Sequence, residues 1–369
     1  MSTVAPITVL VVDDSVVMRR LVSDILADDP GIEVVGTAAN GQVALAKIPQ
    51  LNPDVVTLDV EMPVMNGLET LTALRKLYPR LPVIMFSTVT ERGATATLDA
   101  LERGASDYVS KPANLGSVVA SMDAVRAELI PKIKALALRG RVVTERAPAP
   151  LMTQAVARPS ARLSTTRVDV VVVGVSTGGP DALTTMISSL PKDFPVPIMV
   201  VQHMPPVFTA LFAKRLDSKS NLAVYEATAG APLEPGTVLI APGDFHLRLR
   251  SDHLGVLAQL DQGTPENYCR PAVDVLFRSA SETFGAAVLA VVLTGMGSDG
   301  AKGAACIVEA GGSVIVQDAA TSVVWGMPGA VVRASLAAEV LPLGDMARAI
   351  QSRVARGRGF VGMRAGTRS

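Results

Sequence analysis

Two consecutive α/β domains, each an open, doubly wound parallel sheet, are predicted by three features of this 369-residue chain. Short apolar runs alternate with amphipathic stretches, which implies parallel strands joined by helices on both faces of a sheet. The alternation dissolves once, near residues 139–167, and then resumes. The composition is 49% apolar with 4% aromatic residues, which suits layers built from Val, Ala and Leu.

In the first domain, residues 1–125, candidate strands fall at 7–12, 33–37, 55–58, 83–86 and 107–109. Candidate helices fall at 15–28, 41–50, 66–77, 92–103 and 115–134. Residues 126–167 form a helical extension and a basic Pro/Ala-rich linker. From Arg139 to Arg167 this segment carries Pro148, Pro150 and Pro159, and six Arg against one Glu, a semi-flexible and solvated composition. The second domain, 168–350, has strands at 168–173, 197–201, 237–240, 286–293 and 313–316, with a hairpin at 246–249 and 254–258. Residues 351–369 form a flexible basic tail rich in Arg and Gly.

Lys+Arg and Asp+Glu number 34 each, a balance that argues against a general nucleic-acid binder. The two cysteines, Cys269 and Cys306, make no disulfide framework or Cys-x-x-Cys metal motif, and are expected to be buried structural thiols. The first residues lack a basic n-region, so no signal peptide is expected. Apolar runs such as 286–293 fall far short of the roughly 20 residues a membrane helix needs, which predicts no membrane insertion and a cytoplasmic protein.

Ligands of open parallel sheets bind at the carboxyl ends of the strands. In the first domain those ends deliver Asp13 and Asp14, then Asp59 followed by Val60-Glu61-Met62-Pro63, then Ser87-Thr88, then Lys111-Pro112. Three carboxylates on one rim repel one another and call for a hard, oxygen-loving cation such as Mg²⁺. Lys111 and the Ser87 hydroxyl are placed to hold phosphoryl oxygens, with Asp59 as a carboxylate nucleophile forming an aspartyl phosphate. A single Asp in such a place is usually a helix N-cap; the combination points to phosphoryl acceptance.

These residues, with Gly67 and Tyr108, make 7–125 resemble a response-regulator receiver domain of flavodoxin-like fold. The resemblance implies Mg²⁺ bound by Asp13, Asp14, Asp59 and the main-chain carbonyl of Glu61. It also implies phosphorylation of Asp59 by a histidine kinase, and movement of Ser87 and Tyr108 in response. Asn66 stands where many receivers have Asp, a surface-loop change.

The second domain opens on the buried run 168–173 and then Gly174-Val175-Ser176-Thr177-Gly178, which fits the Gly-x-Ser-x-Gly elbow that lifts a serine hydroxyl off a sheet. The same pattern also suits a strand-to-helix turn using Ser as a cap. A serine nucleophile needs a base. His246 and His253 fall in the hairpin as surface or half-buried residues, whereas His203 ends the strand 197–201 on the rim of Ser176. Asp299, after the strand 286–293, supplies a carboxylate to orient the imidazole. The order Ser, His, Asp differs from that of the α/β-hydrolases, chymotrypsin and subtilisin. A rival reading uses Gly295-x-Gly297-x-x-Gly300, with Asp318 23 residues after Gly295, as a nicotinamide-dinucleotide fingerprint; a non-catalytic protein-binding output domain is a third.

Residues 174–179, Gln202-His203-Met204, 241–246, Arg270-Pro271-Ala272-Val273-Asp274 and 294–300 make 168–350 resemble the catalytic domain of the chemotaxis protein-glutamate methylesterases, a Rossmann-like three-layer α/β/α unit. The resemblance implies a Ser176–His203–Asp299 triad, with Thr177 and Met296 lining the site. It implies hydrolysis of glutamate 5-O-methyl esters on the cytoplasmic helices of methyl-accepting chemoreceptors, with release of methanol and no cofactor for the esterase step. Deamidation of receptor glutamines is a second reaction of the same acyl chemistry. It also implies that the receiver represses catalysis until Asp59 is phosphorylated. Ala272 stands where the family often has Ser. Backbone N–H groups around Met296 and Ser176 are the expected oxyanion hole.

Overall fold

The computed structural model describes residues 5–111, 118–145, 167–253, 255–356 and 358. Pro112, most of the predicted linker, Leu254, Gly357 and residues 359–369 lie outside them, whereas residues 351–355, expected as the start of the flexible tail, are helical. Among the described residues there are two parallel sheets and one hairpin.

The first sheet takes β1 (Ile7–Val12), β2 (Ile32–Ala38), β3 (Val55–Asp59), β4 (Val83–Ser87) and β5 (Asp107–Ser110) in the order β2-β1-β3-β4-β5. The order reverses between β1 and β3, the switch point at which doubly wound sheets bind ligands. Around it lie α1 (Val16–Ala27), α2 (Gly41–Leu51), α3 (Gly67–Leu77), α4 (Glu91–Glu102) and α5 (Val118–Glu145). Helix starts follow their caps: Ser15, Asn40 and Thr90 each accept a backbone N–H of their own first turn, and Asn66 makes a full capping box with Glu69. Asn66 therefore has a local structural role beyond a loop substitution. α5 continues through Arg139 to Glu145, so the helical extension outlasts the point where the sequence periodicity fades.

The second sheet has the order β14-β13-β12-β6-β7-β9-β8. Its strands are β6 (Val170–Val175), β7 (Ile198–Gln202), β8 (Ala223–Glu226), β9 (Thr237–Ile240), β12 (Val288–Val292), β13 (Ser313–Gln317) and β14 (Glu339–Leu341). The edge strands β8 and β14, four and three residues long, lack the apolar run that marks the inner strands. β6 and β12 are buried at every position because helices cover both faces. The hairpin β10 (His246–Asp252) and β11 (Gly255–Asp261) lies outside the sheet against α8 (Val273–Phe284). The remaining helices are α6 (Gly179–Ser188), α7 (Phe208–Lys219), α9 (Ala301–Glu309), α10 (Met327–Arg333) and α11 (Leu343–Ala355). No helix among the described residues is long and apolar enough to cross a membrane.

The chain winds from β6 outward to β7, β8 and β9, then returns to β12 on the other side of β6. The second switch point is thus the β6/β12 crevice. Phe277 of α8, fully buried, wedges into α9, where a Cβ on Gly303 would lie 2.5 Å from it. Phe277→Ala is expected to cost about 3–5 kcal/mol by cavity formation, measured by denaturant unfolding of the full chain.

Candidate functional site

At the first switch point, carboxylate oxygens of Asp13, Asp14 and Asp59 lie within 4.8 Å of one another. The Lys111 ammonium stands 2.8 Å from both Asp13 and Asp59. One lysine against three carboxylates leaves the cluster short of positive charge. Burial, with Asp13 alongside, pushes Asp59 up to about 6 despite Lys111. This donor set of hard oxygens lacking compensating charge fits a divalent cation of the Mg²⁺ kind. The Glu61 side chain turns away to Arg92, at 3.1 Å, leaving its main-chain carbonyl as the group the receiver resemblance assigns to the metal. Ser87 is buried at the end of β4, its hydroxyl donating to Gly93 O at 3.1 Å. Tyr108 is buried, its ring stacked on Phe208 of α7 with centroids 4.9 Å apart.

At the second switch point, Val175 pairs with Gln202, so Ser176 and His203 leave adjacent strands side by side. Gln202 ties them together: its Nε2 donates to Ser176 O at 3.0 Å and His203 O at 3.2 Å. His203 Nε2 lies 2.8 Å from Asp299 Oδ2. Among the described residues the Ser176 hydroxyl has no hydrogen-bond partner; Ser176 N–H donates to Thr294 O. That bond withdraws it from the expected oxyanion hole, leaving the Thr177 and Met296 amides as candidates. The elbow is unstrained at the serine itself: the left-handed residue is Gly178, at φ +76°. The close approach that needs glycine is at Gly295, where a Cβ would lie 2.9 Å from Ser176 Cβ and 2.3 Å from Met327 Sδ.

Asp299 is held as an anion. Val273 N–H and Asp274 N–H, at the start of α8, donate to it at 2.7 and 3.0 Å, and Gly300 N–H at 2.9 Å. Ala272, the N-cap of α8, offers no side-chain acceptor, so Asp299 caps the helix from another strand end. Burial opposes the charge, but His203 and these amides hold Asp299 below the usual carboxylate range. Burial likewise opposes a charged imidazole. The Asp299 carboxylate and the Cys269 sulfur, 3.7 Å from Nδ1, outweigh it and lift His203 to about 10. The raised value means that this pairing contributes stability below about pH 6.5, lost as pH climbs through about 10.

Several sequence expectations change. His246 is not a surface residue: it is 1% exposed, with Nε2 near Thr264 O and Nδ1 accepting Ala272 N–H. Cys269 and Cys306 are half-buried, and Cys269 faces His203. In the dinucleotide reading, Gly295 is occupied by Ser176 and Met327. A Cβ on Gly300 would lie 2.9 Å from Val273, and Asp318 accepts from Thr321 within its own turn.

The two halves meet at the site. Thr177 Oγ1 donates to Asp107 Oδ2 at 2.6 Å, and the Lys132 ammonium of α5 lies 3.5 Å from the same carboxylate. Met296 and Val323 pack on the apolar cluster that β1 and α5 share. Arg215 of α7 pairs with Asp99 of α4 at 2.5 Å, and Lys219 with Glu102 at 2.8 Å. β5, α4 and α5 of the first half thus stand over the residues next to Ser176.

The chain thus seats one α/β module, with an acidic cluster at its switch point, on a second, serine-bearing α/β module. Residues 9–123 match the response regulator receiver domain and residues 171–350 the CheB methylesterase domain. A protein-glutamate methylesterase/protein-glutamine glutaminase of a Nocardioides species is 58% identical over 358 residues, covering 95% of this chain and 96% of that one. One from Trichodesmium erythraeum is 51% identical over 346 residues, covering 94% and 98%. The solved CheB methylesterase catalytic domain of Thermotoga maritima is 47% identical, with a TM-score of 0.50, covering 51% of this chain and 99% of that one. The chain belongs to the protein-glutamate methylesterase/protein-glutamine glutaminase family, whose members are carboxylic ester hydrolases with a receiver domain.

Because Asp59 takes up its proton more readily folded than unfolded, metal-free stability falls as pH rises from about 4 to about 6 and stays lowered above that. Mg²⁺ is expected to raise the Tm more at about pH 7.5 than at about pH 5. Asp59→Asn is expected to raise the metal-free Tm and blunt the Mg²⁺ response. An equal Mg²⁺ gain in Asp59→Asn, read by scanning fluorimetry, would count against the cluster as the metal site.

Proposed function

We propose that this protein hydrolyses glutamate 5-O-methyl esters on methyl-accepting chemoreceptors, under phosphorylation control by its receiver half. The reading is supported most directly by the 2.8 Å His203–Asp299 contact beside Ser176 at the β6/β12 switch point.

Ser176 Oγ attacks the ester carbonyl while His203 takes its proton. An ionised Asp299 only accepts, so it faces Nε2–H and leaves Nδ1 as the proton acceptor. The imidazolium then protonates the departing methoxide, and methanol leaves. Water repeats the sequence against the acyl-serine, giving glutamate and free Ser176. A receptor glutamine follows the same course with ammonia leaving. Thr177 and Met296 line the site, and their amides receive the oxyanion.

In the receiver, Asp59 attacks the phosphoryl group supplied by a histidine kinase, and Lys111 and Ser87 hold its oxygens. A Mg²⁺ ion bound by Asp13, Asp14, Asp59 and the Glu61 carbonyl would offset the negative charge brought together there. Repression follows from the Asp107–Thr177 hydrogen bond and the Tyr108–Phe208 stack. Drawing Ser87 and Tyr108 toward a phosphorylated Asp59 breaks the stack and frees Thr177. A bias of a few kcal/mol between the two packings is enough.

Ser176→Ala is expected to abolish methanol release from methylated receptor membranes without altering the circular dichroism spectrum; undiminished release would sink the serine assignment. Removing residues 1–140 is expected to raise basal activity at least about tenfold and end its response to a small phosphodonor. Truncated protein no faster than the resting full chain would defeat the repression reading.

A further inference from the structure

Glu266 and Cys269 close a tight turn through paired backbone hydrogen bonds of 3.1 and 2.8 Å, between the hairpin and α8. Asn267 and Tyr268 within it have φ +51° and +62°. Arg278 of α8 anchors the turn on Glu266. Tyr268 is fully exposed, whereas its two neighbours reach the acid–base pair. The Asn267 amide donates to Asp299 Oδ1 and to Asp274 Oδ2, each at 2.9 Å, and so bridges two buried carboxylates that repel each other. Cys269 Sγ lies 3.7 Å from His203 Nδ1. Nδ1 is the nitrogen left free by Asp299, and Ser176 needs it. In the resting molecule its neighbour is a thiol, while the serine hydroxyl has no partner among the described residues.

We propose that Asn267-Tyr268-Cys269 is a positioning strap on the triad: Asn267 fixes Asp299, and Cys269 occupies His203 Nδ1 until Ser176 displaces it. The inference rests on the esterase reading of Ser176 and His203. The groups facing the imidazole are Asp299, Cys269 and, behind Asn267, Asp274; among the described residues no basic side chain contacts the ring. The sulfur and Asp299 both favour the charged ring, so removing the thiol makes His203 easier to deprotonate.

The test uses the full chain with Cys269→Ala and Cys269→Ser. The protein has only three histidines, so the His203 ring signals are assignable in an NMR titration by their loss in His203→Gln. In Cys269→Ala, His203 is expected to titrate at least about half a pH unit lower, with His246 and His253 unmoved. Cys269→Ser is expected to move it less. The acidic limb of kcat/KM is expected to shift the same way, raising activity below neutral pH. Asn267→Ala is expected to lower kcat at least about tenfold, with KM within about twofold. A His203 titration that superimposes on the wild type in Cys269→Ala, or an unchanged kcat in Asn267→Ala, would overturn the strap. The titration is read without substrate, so it decides the role of Cys269 even where methanol release fails, a failure that counts instead against the esterase reading.

Discussion

Parallel pairing of β6 with β7 on one side and β12 on the other is the constraint on which the site depends. Each strand ends on the same rim, so Ser176, His203 and the loop carrying Asp299 meet although they are far apart in sequence. The pairing requires both faces of the sheet to be dry, which the all-buried β6 and β12 provide. Backbone polar groups beyond the last ladder bonds must then find local partners. Gln202 supplies them for the Ser176 and His203 carbonyls, and Gln317 Oε1 accepts Thr294 N–H at 2.8 Å. Two glutamines at the ends of β7 and β13 thus set the rim.

Electrostatics distinguishes the two switch points. The first gathers anions with too little positive charge and leaves one of them reluctant to ionise. The second surrounds Asp299 with four backbone or amide donors and an imidazole. Both follow from strand ends that aim side chains at helix N-termini, where dipoles favour negative charge. An excess of carboxylates invites a cation, whereas a buried carboxylate whose oxygens are fully hydrogen-bonded can orient a base.

The fold and the rim residues were legible because they follow from periodicity and parallel connectivity. Asp13, Asp59, Lys111, Ser176 and His203 stand where a buried run stops, and Asp299 lies in the loop that follows one. What was illegible depends on packing between segments with no period. His246 reads as surface or half-buried from hairpin alternation, yet Thr264 and the approach to α8 cover it fully. Asn267 and Cys269 belong to an irregular turn whose direction is set by two left-handed residues. Asp107 reads as an ordinary first residue of β5; only docking of the second half gives its carboxylate a hydroxyl to accept from.

The Tyr108–Phe208 stack and the ion pairs between α4 and α7 have a consequence for signal traffic. A surface can be covered by one neighbour at a time. While α4 and β5 hold the second half of their own chain, another protein that seeks those elements must compete with a tethered partner at high effective concentration. The tether therefore keeps those elements covered, and whatever loosens the stack uncovers α4, β5 and the residues beside Ser176 together.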